Sequence, residues 1–111
     1  MFARAQRLSS RAAEFTARRG RVVSGLGLRI KWIPGREGAS KATVVVPLSF
    51  DKRATKRNRI KRQLREVLRP ILHQLPLATN LMIYVGKGAS GRKFQELRNE
   101  LTELLKRARL R

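Results

Sequence analysis

The stretch "KRATKRNRIKRQLREVLRP", Lys52 to Pro70, decides the reading of this chain. Nine of its nineteen residues are Lys or Arg, and Glu66 is its only acid. Its apolar residues and those just beyond, Ile60, Leu64, Val67, Leu68, Ile71 and Leu72, fall at steps of 4, 3, 1, 3 and 1. That is one stripe of an amphipathic α-helix. At about 100° per residue, Asn58, Arg62, Arg65 and Arg69 lie opposite the stripe, and Arg57 and Lys61 flank it. Pro70 has no N–H to donate, so the pattern predicts that the helix ends or kinks near Arg69. Like charges at three- and four-residue spacing cost roughly 0.2–0.5 kcal/mol per pair. Phosphates bound against such a face would neutralise those charges and release counterions.

The whole chain shares the bias: 27 Lys and Arg against 7 Asp and Glu give a net charge of +20 over 111 residues. That length holds one core and one domain. A field of this sign attracts polyanions, with nucleic acid favoured over an acidic membrane surface or a merely solvated basic face. There is no cysteine, hence no disulfide framework and no thiolate metal site, which fits a reducing cytoplasm. No apolar run approaches the roughly 18 residues of a membrane span. The first twenty residues have the Arg-rich, Ser-containing look of a transit peptide, a competing reading of that segment.

Outward from the basic stretch, residues 4 to 19 are helix-compatible, with Ala5, Leu8, Ala12 and Phe15 on one side and Gly20 as a stop. In "LGLRIKWI" the apolar Leu26, Leu28, Ile30 and Trp32 alternate with Arg29 and Lys31, the pattern of a half-buried strand. Pro34 to Ser40 is a turn cluster. "KATVVVPLSF" alternates again, with Ala42, Val44, Val46, Leu48 and Phe50 on one side, and pairs with the preceding strand as an antiparallel hairpin. Pro47 marks a strand end, an edge or a bulge. "NLMIYVG", Asn80 to Gly86, is apolar on both faces, as a central strand is. A last helix begins near Lys93, with Phe94, Leu97, Leu101, Leu104, Leu105 and Ala108 on its inner side and Glu96, Glu100 and Glu103 on a solvated, charge-balanced face. The expected architecture is α+β in the order α-β-β-α-β-α, a small mixed sheet with packed helices. Residues 1–6 and 108–111 are candidates for disorder.

Catalytic patterns are sparse. His73 is the only histidine and reads as a surface or capping residue. "GKGASG" is Gly-rich but lacks the Lys-Ser/Thr pair that follows the closing Gly of a phosphate-binding loop. Ser9, Ser10 and Ser24 have no base in any recognisable arrangement, and the acids do not cluster as metal ligands do. The chain reads as a binder. Its helical arginines suit forked bonds to phosphate, and Asn58 can serve a base edge or a ribose hydroxyl.

"KRATKRNRIKRQLRE", Lys52 to Glu66, closely resembles the Arg-Asn-Arg signature region of the bacterial ribonuclease P protein family. "RLSSRAAEF", Arg7 to Phe15, resembles the family's first helix, and "NLMIYVGKGAS" with the final helix follows in the family's order. The resemblance implies a protein that joins a large catalytic RNA and helps it remove the 5′ leader from precursor tRNA. It implies that the RNA performs the Mg²⁺-dependent hydrolysis, that the protein contributes no catalytic residue and binds no cofactor, and that it acts in the cytoplasm as a monomer in a 1:1 ribonucleoprotein. It also implies a left-handed β-α-β crossover around the signature helix.

By the same resemblance Arg57, Asn58, Arg59, Arg62 and Arg65 contact the catalytic RNA, with Lys61 and Arg69 on the same helix. Phe15, Arg29 and Lys31, with Lys52, Lys56 and Tyr84, are the candidates for a cleft that takes the leader. The family commonly closes a strand with Ser-Lys-Lys where this chain has Pro47, Leu48 and Ser49, two positive charges fewer. A small basic ribosomal or other structural RNA-binding protein is the alternative that charge, size and element order also fit. A nucleoid DNA-binding protein is disfavoured, because no second helix precedes the signature helix across a short turn.

Overall fold

A computed structural model describes residues 7–34, 40–75 and 78–110. Helix α1 (Ser10–Arg19) leads into strands β1 (Arg21–Ser24), β2 (Leu28–Pro34) and β3 (Lys41–Val45); helix α2 (Ala54–Gln74), strand β4 (Thr79–Val85), a 3₁₀ turn (Lys87–Ala89) and helix α3 (Phe94–Arg107) follow. The sheet has the order β1-β2-β4-β3, with β4 antiparallel to β2 and parallel to β3. Helix α2 is therefore the crossover between two neighbouring parallel strands. The turn expected at Pro34 to Ser40 lies mostly outside the described residues, as do residues 1–6.

The expected hairpin does not form. Strand β2 pairs instead with the short β1 on one side and with β4 on the other. Alternation correctly predicts which side chains of β2 and β3 are buried, but it carries no information about the neighbouring strand. The later, more apolar β4 takes the central place between them, and the element order gains a strand. Strand β3 stops at Val45, so Leu48 is exposed rather than part of an apolar face, and Leu26 sits on a turn with 91% of its surface exposed.

One face of the sheet carries Leu28, Ile30, Ala42, Val44, Leu81, Ile83 and Val85, packed with the α2 stripe Ile60–Leu72 and the α3 residues Leu97, Leu101, Leu104 and Leu105. Both helices thus cover the same face. Helix α2 does not stop at Arg69 but runs to Gln74 with Pro70 inside it. Glu66 and Pro70 are both exposed, and the buried Ile71 and Leu72 beyond the proline hold the last turn against the core. Leu110 and Ala108 pack against the core from the end of α3.

The other face is covered only in part, by the shorter α1, which packs on β2 and β4. Ser9 caps this helix, its hydroxyl oxygen accepting from the Ala12 N–H at 3.1 Å. Helix α1 begins six residues later than expected, because Leu8 lies before it, donating its N–H to the Ala42 carbonyl of β3. Its buried residue is Thr16, whose hydroxyl donates to the Ala12 carbonyl at 2.8 Å; Phe15 points outward, 51% exposed.

The turn between β1 and β2 is tied to α3 by Glu100. Its carboxylate accepts the N–H groups of Gly27 and Leu28 and pairs with Arg92. It is only 10% exposed, not a member of a solvated charged face. Gly27 and Gly88 pass so closely that a Cβ on Gly27 would lie 2.6 Å from the Ala89 nitrogen. Removing an acceptor from a buried polar group costs about 1–3 kcal/mol. Glu100→Ala should lower the unfolding free energy by about 2–3 kcal/mol in urea titration, and Glu100→Gln, which keeps one acceptor oxygen, by less. Equal stability of the parent and Glu100→Ala would refute this role.

Candidate nucleic-acid interface

The arginines of α2 do three different things. Arg57 is half-buried and donates from Nη1 to the carbonyls of Asp51 and Lys52, both at 2.8 Å, fastening the approach of the chain to the helix. Arg59 is exposed and lines a groove toward α3 together with Lys56 and Arg53. Asn58, Arg62 and Arg69 are exposed on the outer side, where Arg69 pairs with Glu66. Lys61 and Arg65 are half-buried. On a helical wheel, Arg59 stands roughly 60–120° away from Asn58, Arg62, Arg65 and Arg69.

Asp51 organises the start of α2. Its Oδ1 accepts from the Arg53 backbone N–H at 2.9 Å and from Arg53 Nε at 3.1 Å, while Oδ2 accepts from Nη2 at 3.0 Å. Held chiefly by the Arg53 side chain, its carboxyl is pulled down from 3.8 to about 2.

On the opposite face of the sheet, Arg29 and Lys31 of β2 flank Tyr84 of β4. The Arg29 guanidinium carbon lies 4.7 Å from the ring centroid and Lys31 Nζ 5.4 Å from it, both within cation–π range. Lys31 Nζ also donates to the Ala17 carbonyl in the last turn of α1 at 2.9 Å, at the negative end of that helix. Beyond α1 this face ends in a hollow of about 550 Å³ lined by Arg29, Val45, Pro47 and Tyr84. The structure therefore brings Arg29, Lys31 and Tyr84 together, with Phe15 exposed on the adjoining helix. It does not bring Lys56 to them: that side chain lines the α2–α3 groove, on the helix-covered side. Lys52 is exposed at the approach to α2.

Sequence reasoning missed the groove, because Arg53 and Lys56 are joined there by Arg92, Lys93 and Phe94 from across the chain. The signal was faint: Phe94 shares the spacing of the α3 core residues, yet it is 39% exposed. His73 is exposed in the last turn of α2. Among the described residues, no three His, Cys, Asp or Glu side chains converge in a way that could hold a metal ion, and no helix is long and apolar enough to cross a membrane.

Arginine-bearing surfaces on both sides of one small sheet define a nucleic-acid-binding α+β protein. A family model described as Ribonuclease P matches residues 2–109. A ribonuclease P protein component of Synechococcus sp. (strain JA-2-3B'a(2-13)) is 37% identical over 95 residues, covering 82% of this chain and 71% of that one. One from Xylella fastidiosa (strain 9a5c) is 36% identical over 107 residues, covering 96% and 78%. The solved ribonuclease P protein of Staphylococcus aureus superposes with a TM-score of 0.85 at 20% identity, over 96% of this chain and 98% of that one, a likeness of fold. The chain belongs to the ribonuclease P protein family, and as a protein subunit of ribonuclease P it binds RNA in tRNA processing.

The Asp51 geometry has a titration consequence. A carboxyl whose folded pKa is depressed stabilises the fold above its ordinary value, and that contribution disappears as pH falls through the folded value. NMR titration should give Asp51 a midpoint of about 2, with its contribution fully present above pH 3.8 and lost on acidification toward 2. Arg53→Ala should return the midpoint toward 3.8; an unmoved midpoint would show another cause.

Proposed function

We propose that this subunit holds the catalytic RNA against the outer face of α2 and the 5′ leader of precursor tRNA along the open sheet face beside α1. One observation carries the reading: the two basic surfaces lie on opposite sides of the sheet. Helix α2 covers the face of Ile30 and Ile83, whereas Arg29, Lys31 and Tyr84 project from the other. A single small domain can thereby bridge two strands of RNA without their competing for one site.

The chemistry of each surface suits its occupant. Arg62, Arg65 and Asn58 offer forked and paired hydrogen bonds to phosphates, riboses and base edges of a structured RNA. Arg29 and Lys31 track a flexible backbone, while the Tyr84 and Phe15 rings offer stacking surfaces for unpaired bases. Phosphate contacts carry no sequence information directly, so leader base identity should matter little. In this reading the phosphodiester hydrolysis and its Mg²⁺ belong to the catalytic RNA. The protein supplies affinity and position from the cytoplasm, as one copy per RNA.

Two measurements test the two halves separately. Arg62→Ala with Arg65→Ala should weaken binding of the catalytic RNA and flatten the slope of log affinity against log salt by about one unit per arginine. Its unfolding midpoint should stay at the parental value, because the apolar stripe is untouched. Parental affinity in that double variant would remove α2 as the interface. For the other half, lengthening the leader from about two to about eight nucleotides should raise precursor affinity only when protein is present, and Phe15→Ala should shrink the gain. A protein-dependent gain that ignores leader length would remove the sheet face as the leader site.

A further inference from the structure

Between the first turns of α2 and α3 the surface opens into a groove of about 580 Å³, within the roughly 300–1,000 Å³ range of small-ligand sites. Phe50, Ile60 and the Phe94 ring form its apolar lining, and Lys56, Arg59 and Lys93 stand around it. The one acid in the lining, Asp51, is engaged by Arg53. Arg92, at the far wall, is engaged by Glu100. Lys56, Arg59 and Lys93 thus stand around the groove outside any ion pair among the described residues, although Lys56 lies near enough to Asp51 to feel its charge. Phe94 also lines the adjoining hollow beside Pro70 and Arg98, so its side chain borders both hollows between α2 and α3.

A charged rim around an exposed aromatic ring suits an unstacked nucleotide. Sequence-tolerant RNA binding combines cations along the backbone with aromatic faces on which bases lie. A duplex offers no free base face to such a groove, because its bases are stacked on one another. Gln63 and Ser90, also in the lining, can donate to and accept from a base edge. The leader cleft of Arg29 and Tyr84 lies on the other side of the sheet, so the occupant comes from the partner that α2 faces. We infer that this groove receives an unpaired nucleotide of the catalytic RNA, its base against Phe94 and its flanking phosphates on Lys56, Arg59 and Lys93. This inference rests on the reading that α2 faces that RNA.

The test uses the full chain and its cognate catalytic RNA. Phe94→Leu keeps an apolar side chain at the start of α3 but removes the stacking surface. It should reduce affinity about 5- to 100-fold, with the salt slope unchanged because no counterion release is lost. Phe94→Tyr should restore affinity. A base open to single-strand modification in the free RNA should be protected by the parent protein and exposed again with Phe94→Leu. Lys93→Ala, at an exposed position outside the core, should instead flatten the salt slope and expose the same base, which keeps the test valid should Phe94→Leu impair folding. If Phe94→Leu and Lys93→Ala bind and protect like the parent while Arg62→Ala with Arg65→Ala binds weakly, the groove is empty and only this inference falls. If all of them bind like the parent, the placement of the RNA on α2 falls with it. Protection confined to leader nucleotides would also overturn the inference.

Discussion

The parallel pairing of β3 with β4 is the constraint from which the rest of the molecule follows. Adjacent parallel strands cannot be joined by a tight turn; the chain has to leave the sheet, travel back and re-enter. Helix α2 makes that return, and it can do so only with an apolar stripe turned onto the sheet. Once Ile60, Leu64, Val67, Leu68, Ile71 and Leu72 are fixed inward, Asn58, Arg62 and Arg69 are fixed outward by the 3.6-residue turn, with Arg59 turned toward the α2–α3 groove. The side chains proposed to face the RNA are thus placed by packing that they do not themselves contribute. Helix α3 completes the cover on the same face, which leaves the opposite face to the ten residues of α1. That helix is too short to cover it, and Arg29, Tyr84 and Val45 stay accessible beyond its reach.

Where a signal was periodic, the sequence was legible. The inward residues of β2, β3, α2 and α3 follow from alternation or from three- and four-residue spacing, Phe94 apart, while β4 reads as a central strand from its apolar run, and most of the named arginines lie on the exposed side as read. What periodicity did not carry was partnership; the parallel relation of β3 and β4 was implied only by the family resemblance. Lys41 to Val45 carries the same alternation whether its neighbour is β2 or β4, and only the fold decides that β4 is inserted between them. Strand β1, with its largely exposed Arg21 to Ser24, has too few buried residues to announce itself. Pro70 misled for a related reason: the packing of Val67, Leu68, Ile71 and Leu72 on either side of it carries the helix onward, and packing is a tertiary property.

The site was legible to the extent that it is local. Arg62 and Asn58 belong to one helix and are found together by counting. The α2–α3 groove joins Lys56 to Lys93 and Phe94 through the tight Gly86–Gly91 connection, and no spacing rule links residues so far apart. Glu100 shows the same limit in reverse. It shares the helix and the four-residue spacing of the exposed Glu96, yet it is the carboxylate that holds the β1–β2 turn.

The use of the acids explains how a chain of net charge +20 stays folded and still presents bare positive surfaces. Asp51 is bound to Arg53 at the start of α2, Glu100 to Arg92 and the β1–β2 turn, and Glu96 to the N–H of Lys93. Each stabilises a chain reversal or a helix start, where a carboxylate satisfies donors that no backbone carbonyl can reach. The exposed Glu14–Arg18 pair contributes little by comparison, since surface ion pairs are worth about 0–1 kcal/mol. Spending carboxylates on internal bonds leaves few to answer the arginines of the outer α2 face or the cations around the groove. That deficit raises the repulsion within the folded protein, and the same deficit is what a phosphate backbone fills. Affinity for RNA and electrostatic strain in the free protein are therefore one property of the sequence, and neither can be tuned without the other.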